Sequence, residues 1–193
     1  MCPRVTGQDG AVDYAFVSGN AALDLAGTLQ WRRTAPRDRL AGPADLRRWI
    51  DEAGLLPGGP ADVDTGGFAR ALELREAVHR LAQDRLEGRR FDRGALDVVN
   101  RIAATPGRRV VLTDAGAEVR GDTAAVLADV AAAAIELLAD RDLVLKECGR
   151  ESCTRLYVDR SQGARRTWCG MEECGNRVKA AAYRARRRRG GRT

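Results

Sequence analysis

The stretch CGRESC at 148–153 recurs, fifteen residues on, as CGMEEC at 169–174. Both are Cys-Gly-x-Glu-x-Cys, and they hold four of the five cysteines: Cys148, Cys153, Cys169 and Cys174. Two close pairs on two tight loops are what a tetrahedral thiolate site requires. A full four-sulfur shell leaves no open position, so a zinc ion held there is structural, and it stabilises a segment too small to fold on its own core. The x4 spacing leaves an iron–sulfur cluster open as an alternative. A dithiol redox pair fits less well, since Cys-x-x-Cys is its usual unit. Gly149 and Gly170 are expected to permit the turns and to let backbone N–H groups approach sulfur. Between the loops the sequence predicts a strand at Leu156–Val158, a Ser-Gln-Gly turn and a second strand ending at Trp168. Cys2 stands apart, with no specific role expected.

Charge is distributed unevenly around this unit. The 193-residue chain carries a net +6, but residues 146–193 alone carry +9, leaving −3 on residues 1–145. Such asymmetry assigns a polyanion to one segment only. All but two of the 33 basic residues are arginine. With abundant Ala and Gly, that also reflects a G+C-rich coding sequence. The stretch CGNRVKAAAYRARRRRGGRT follows the last metal loop directly. Asn176 is a candidate cap for a helix in which Val178, Ala181, Ala182 and Ala185 form one narrow face. Lys179, Tyr183, Arg184, Arg186, Arg187, Arg188 and Arg189 cover the rest, with Arg177 at its start and Arg165 and Arg166 on the neighbouring predicted strand. Arginine offers bidentate contact to phosphate or guanine, so nucleic acid is the expected partner, bound with strong salt dependence. Double-stranded DNA is favoured; an RNA-binding or ribosome-associated module needs the same charge and stands as the alternative.

Residues 1–145 read as a mainly helical α+β domain. A loose leader spans residues 1–15. Asn20 caps a short helix, Pro43 opens a second, and Phe68 to Leu86 forms a third ended by Gly88. Asp92 caps a fourth, RRVVLTDAGAEVR reads as a hairpin centred on Asp-Ala-Gly, and Asp122 or Thr123 caps a long apolar helix over about 124–140. Arg32 to Arg39 reads as a polar loop. The boundary falls at 145/146, the metal segment with its basic helix runs to 189, and 190–193 is a tail. The N-terminus lacks the pattern of a signal peptide and no apolar run is long enough for a bilayer, so a cytoplasmic protein without membrane contact is expected.

The segment RRTWCGMEECGNRVKAAAYRARRR resembles the CGNR zinc-finger family, named for Cys-Gly-Asn-Arg, here Cys174 to Arg177. CGRESCTRLYVDRS resembles that family's first ligand pair and the strand after it. GNAALDLAGTL, DLRRWIDEAGL and LREAVHRL are similar to the ABATE domain usually joined to this finger, which is described as a stress-induced transcription regulator. The resemblance implies one zinc at the four cysteines and DNA binding through the basic residues.

No enzymatic motif is legible: G-x-S-x-G, Walker A and G-x-G-x-x-G are all missing, and the single histidine, His79, lies among apolar helical neighbours. No catalysis is expected. Trp31, Arg32, Arg33, Trp49 and His79 form a candidate pocket for a small-molecule effector, and dimerisation through the N-terminal domain would suit paired half-sites.

Overall fold

The computed structural model describes residues 14–190, without the side chains of Glu173, Ala182 and residues 185–190. Cys2, most of the expected leader, the end of the tail and the side chains of Arg186, Arg187, Arg188 and Arg189 therefore lie outside the described residues. The leader expectation fails where it can be followed: Tyr14 is buried, and its hydroxyl donates to the Asp45 carbonyl at 2.8 Å.

Helix starts follow side-chain acceptors. Helix α1 (Ala21–Ala26) begins where Asn20 Oδ1 accepts from the Ala22 N–H at 2.9 Å, and Asn20 Nδ2 donates to the Ala133 carbonyl. Helix α2 (Pro43–Glu52) has proline in its first turn and turns Leu46, Trp49 and Ile50 inward. Helix α3 (Thr65–Leu86) begins three residues before the apolar pattern at Phe68, because Asp64 accepts from the Gly67 N–H. Helix α4 (Arg93–Ala103) is capped by Asp92 and helix α5 (Thr123–Ala139) by Asp122, at 2.9 and 2.8 Å. Each such cap is worth about 1 kcal/mol. Burial contributes more: Leu23, Leu25, Leu74, Leu81, Leu127 and Leu137 are all almost wholly enclosed, at about 1.5–3 kcal/mol per side chain.

Among the described residues three two-stranded antiparallel pairs decorate the helices. Strand β1 (Leu29–Gln30) pairs with β2 (Arg37–Asp38), so the expected polar loop contains a strand. Asp38 fixes it: its Oδ1 accepts from Arg75 Nη1 at 2.7 Å and from the Leu40 N–H at 2.9 Å. Strands β3 (Arg109–Thr113) and β4 (Gly116–Arg120) form the expected hairpin, with Gly116 at φ 120° closing the turn.

Strand β5 (Leu145–Glu147) pairs with β6 (Leu156–Val158). The expected partner ending at Trp168 does not form. Gly163 (φ 68°) and Ala164 (φ 48°) turn left-handed and break the extension. Side chains hold this segment instead of a ladder: Lys146 Nζ donates to the carbonyls of Ala164 and Arg166, and the Tyr157 hydroxyl to that of Arg166 at 2.8 Å. Leu145, Leu156 and Val158 bury their side chains in the same core as α1–α5, and the Val158 N–H donates to the Ser18 carbonyl at 2.8 Å. The 145/146 position thus falls inside β5, and the hairpin shares the core of the helical region. Among the described residues no helix is long and apolar enough to cross a membrane.

Candidate metal centre and basic helix

The turn from β5 to β6 carries Cys148 and Cys153. Its shape comes from three backbone bonds: Cys148 N–H to the Arg155 carbonyl (2.9 Å), Cys153 N–H to Arg150 (2.8 Å) and Gly149 N–H to Thr167 (2.9 Å). A Cβ on Gly149 would meet Thr167 Cγ2 at 2.8 Å, so glycine is needed there for close approach between the two loops. Gly170 is different. Its backbone is extended and a Cβ would make ordinary contact with Val17, so the expected glycine role does not hold there. In the second pair Cys169 precedes, and Cys174 lies on, a π-helical turn, Met171–Gly175, whose Cys174 and Gly175 N–H groups both donate to the Gly170 carbonyl.

All four sulfurs lie within 4.8 Å of one another and all four cysteines are buried. Cys153 and Cys169 Sγ are 3.9 Å apart, Cys169 and Cys174 Sγ 3.6 Å. A tetrahedron with Zn–S bonds of about 2.3 Å has edges of ~3.8 Å, so these separations fit one zinc. The same distances are far too long for a disulfide. Among themselves the thiols polarise. Donation from Cys153, then from Cys169 and Cys174, pulls Cys148 well below the ordinary thiol range, and the same hydrogen bond to Cys148 pushes Cys153 and Cys169 up. Four sulfurs this close can all be thiolates only around a cation, which a divalent metal supplies. The Cys169 N–H points at Cys148 Sγ (3.4 Å), and the buried Arg155 guanidinium lies 4.0 Å from Cys169 Sγ. These two donors lie outside the ligand set and offset its negative charge.

A second support lies beneath. Tyr157 is fully enclosed, with the Arg166 guanidinium 4.4 Å over its ring. Arg166 also donates from Nε to the Trp168 carbonyl and from Nη2 to those of Val17 and Cys169. An arginine expected at a nucleic-acid contact is thereby engaged in tying the second cysteine loop to the N-terminal segment. Its neighbour Arg165 is exposed. Asp159 completes the floor. Burial opposes its ionisation, but Lys146 Nζ at 2.8 Å and two donors from Ser161 outweigh that and hold its carboxyl below the usual range.

Helix α6 (Asn176–Gly190) follows the π turn with no linker. Asn176 is not its cap: it already has helical angles, because the winding starts at Met171. Asn176, Arg177, Lys179, Tyr183 and Arg184 are all exposed, with Tyr183 at 56%. Ala181 is exposed as well, so the expected narrow face is not packed away there. Arg150, in the first cysteine loop, joins Arg177 and Arg184 along a shallow groove floored by Val178, Ala180 and Ala181. Sequence reasoning passed over Arg150, although it occupies the first variable position of the repeated unit.

Of the five candidate pocket residues, Arg32, Arg33 and His79 are brought together, and Trp31 and Trp49 lie apart from them. Trp49 is 1% exposed, in the core under Phe16. Arg32 pairs with Glu76 at 2.5 Å and Arg33 with Glu147. His79 lies beside Arg32 and Arg33 in an open depression, and Trp31 lines a separate cavity. Burial, then the charge of Arg32, pushes His79 down to about 4, against the opposing pull of Glu76 and Glu147. The unfolded chain takes up this proton below about 6.5 and the folded one only below about 4, so His79 removes stability as pH falls through that window. Between pH 7 and 4.5 the loss is about 2–3 kcal/mol. Buried Asp24, raised to about 6, runs the opposite way. Urea titrations of the wild type and His79→Gln at both pH values cancel that contribution; the variant is expected to lose about 2–3 kcal/mol less, and equal losses would contradict a buried neutral imidazole.

Residues 19–141 match the ABATE family model, described as "Putative stress-induced transcription regulator", and residues 145–187 match the CGNR zinc finger. None of the curated proteins matches. The first match spans well over half of the chain, and the second encloses all four buried cysteines. The chain belongs to the ABATE family and carries a CGNR zinc finger, whose four cysteines take one structural zinc ion.

Proposed function

We propose that this protein regulates transcription by binding double-stranded DNA through α6 and the arginines beside it, and that it is a binding protein rather than an enzyme. One observation carries the reading: α6 emerges directly from the metal loop with Arg177, Lys179, Tyr183 and Arg184 exposed. A zinc-anchored helix cannot swing freely, so its cationic surface is presented in a fixed direction. Fifteen residues give a helix ~22 Å long, and a major groove about 12 Å wide admits one. Arg150, Arg177 and Arg184 supply phosphate contacts along the groove's rim. The description of the ABATE family supports a link to stress, with the helical domain as the receiving part. Two copies on paired half-sites would extend the footprint, which sedimentation with and without duplex measures.

The test is a competition. Zinc-loaded protein on a fluorescent duplex is challenged with unlabelled duplex and with structured RNA across a salt series. Duplex is expected to displace the probe at lower concentration, with log affinity falling linearly in log salt. Preferential displacement by RNA would overturn the DNA reading. Selection from a random duplex pool then decides specificity: an enriched motif supports gene-specific control, and none would reject it.

A further inference from the structure

A second basic feature is concave. A cavity of about 260 Å3 lies between the β1–β2 segment and the finger, lined by Trp31 and by five arginines: Arg37, Arg39, Arg150, Arg155 and Arg177. The arginines come from four places: the β2 strand and the residue after it, the first cysteine loop, the residue before β6, and the start of α6. Among the described residues no carboxylate lines it, while Cys153 and Cys174 form part of its wall.

The metal centre accounts for only part of this charge. Four thiolates around a divalent zinc leave a formal −2, and Arg155, buried against Cys169 Sγ, is placed to offset it. Arg39 Nε donates to Gln30 Oε1. Arg37, Arg150 and Arg177 make no ion pair among the described residues. A formal excess of about three positive charges therefore faces a concave space, where like charges repel unless an anion enters. Guanidinium forks match phosphate oxygens bidentately. The wall also holds Trp31, whose backbone is left-handed at φ 51°, an unfavourable conformation for a bulky residue, and whose indole is half-buried. The neighbouring Arg32 N–H is tied to Thr154 Oγ1 at 3.2 Å, which fixes this turn onto the finger. The volume lies at the small end for ligand sites.

We propose that the cavity binds a small phosphorylated metabolite, a mono- or diphosphate whose body lies against Trp31. Arg150 and Arg177 line both this cavity and the groove along α6. A bound phosphate draws those two guanidiniums away from the α6 surface, so occupancy weakens DNA binding; this second half rests on the proposed DNA contact, and the first does not.

Calorimetry with inorganic pyrophosphate on the zinc-loaded full chain, at ionic strength matched with chloride, tests the site. One saturable equivalent is expected, with affinity at least tenfold weaker in Arg37→Gln and zinc content and melting unchanged. Heat that only tracks ionic strength, or equal affinity in the variant, would overturn it and leave the arginines as neutralisers of the thiolates. Duplex affinity with and without saturating pyrophosphate tests the coupling. A fall of about tenfold in the wild type, absent in Arg37→Gln, supports it. Unchanged duplex affinity overturns the coupling alone, and failure to bind duplex at all overturns the DNA reading while leaving the calorimetric result standing. If Arg37→Gln weakens duplex binding as much as pyrophosphate binding, the cavity belongs to the DNA track and the metabolite proposal fails.

Discussion

Cys169→Ser is expected to lose its zinc and to destabilise the whole chain, not the finger alone. Cys169 touches all three other ligands: its Sγ lies 3.9 Å from Cys153 and 3.6 Å from Cys174, and its N–H reaches Cys148 Sγ. A serine hydroxyl does not ionise as a thiol does and is a poor zinc ligand. Structural zinc contributes on the order of 10 kcal/mol to small fingers, so losing one of four ligands removes most of the benefit. Two further effects spread the damage. Arg155, buried against Cys169 Sγ, would face a site stripped of its negative charge. And β5 and β6, which carry the first cysteine loop, bury Leu145, Leu156 and Val158 among α1–α5. Elemental analysis should give less than half an equivalent of zinc in the variant, against one in the wild type. The main thermal transition should fall by about 10 °C or more, since each kcal/mol is worth about 2–4 °C in a chain of this size. A zinc-free variant with an unshifted main transition would show the finger to be an autonomous unit. Iron with matching sulfide in the wild type would replace zinc by a cluster.

What the sequence made legible follows the range of each interaction. The caps at Asn20, Asp92 and Asp122 act over two or three residues, so local pattern found them. Asp64 was missed because Thr65-Gly66-Gly67 looks unlike a helix, and the cap bond to Gly67 overrides that composition. The four ligands were legible because metal geometry fixes short spacings. The strand expected before Trp168 failed because alternation there is indistinguishable from a loop held by Lys146 and Tyr157. Arg166 shows the limit of charge reasoning: a guanidinium facing solvent and one holding three carbonyls read alike in sequence. The arginine-lined cavity is assembled from residues over a hundred positions apart, and Trp31 and Trp49 fall away from Arg32, Arg33 and His79 for the same reason: nothing local says which faces converge.

Replacing Arg184, Arg186, Arg187 and Arg188 with alanine is expected to weaken duplex binding on the order of a hundredfold at physiological salt. The estimate follows from counterion release. Each arginine neutralising one phosphate adds about 0.9 to the slope of log affinity against log salt, so removing four lowers the slope by up to ~3.6. The affinity loss and the slope change must appear together, because both come from the same released ions. Alanine has the highest helix propensity, so α6 should persist, and unchanged zinc content and far-ultraviolet dichroism would confirm that the loss is one of contact. Lys179→Ala alone should cost far less and lower the slope by about 1. Loss of affinity with an unchanged slope would mean base-edge or packing contacts dominate, which the exposed Tyr183 could provide. Equal affinity in the fourfold variant would remove the C-terminal half of α6 as the contact element and leave the duplex to Arg150 and to Arg177 at the helix start, nearer the metal.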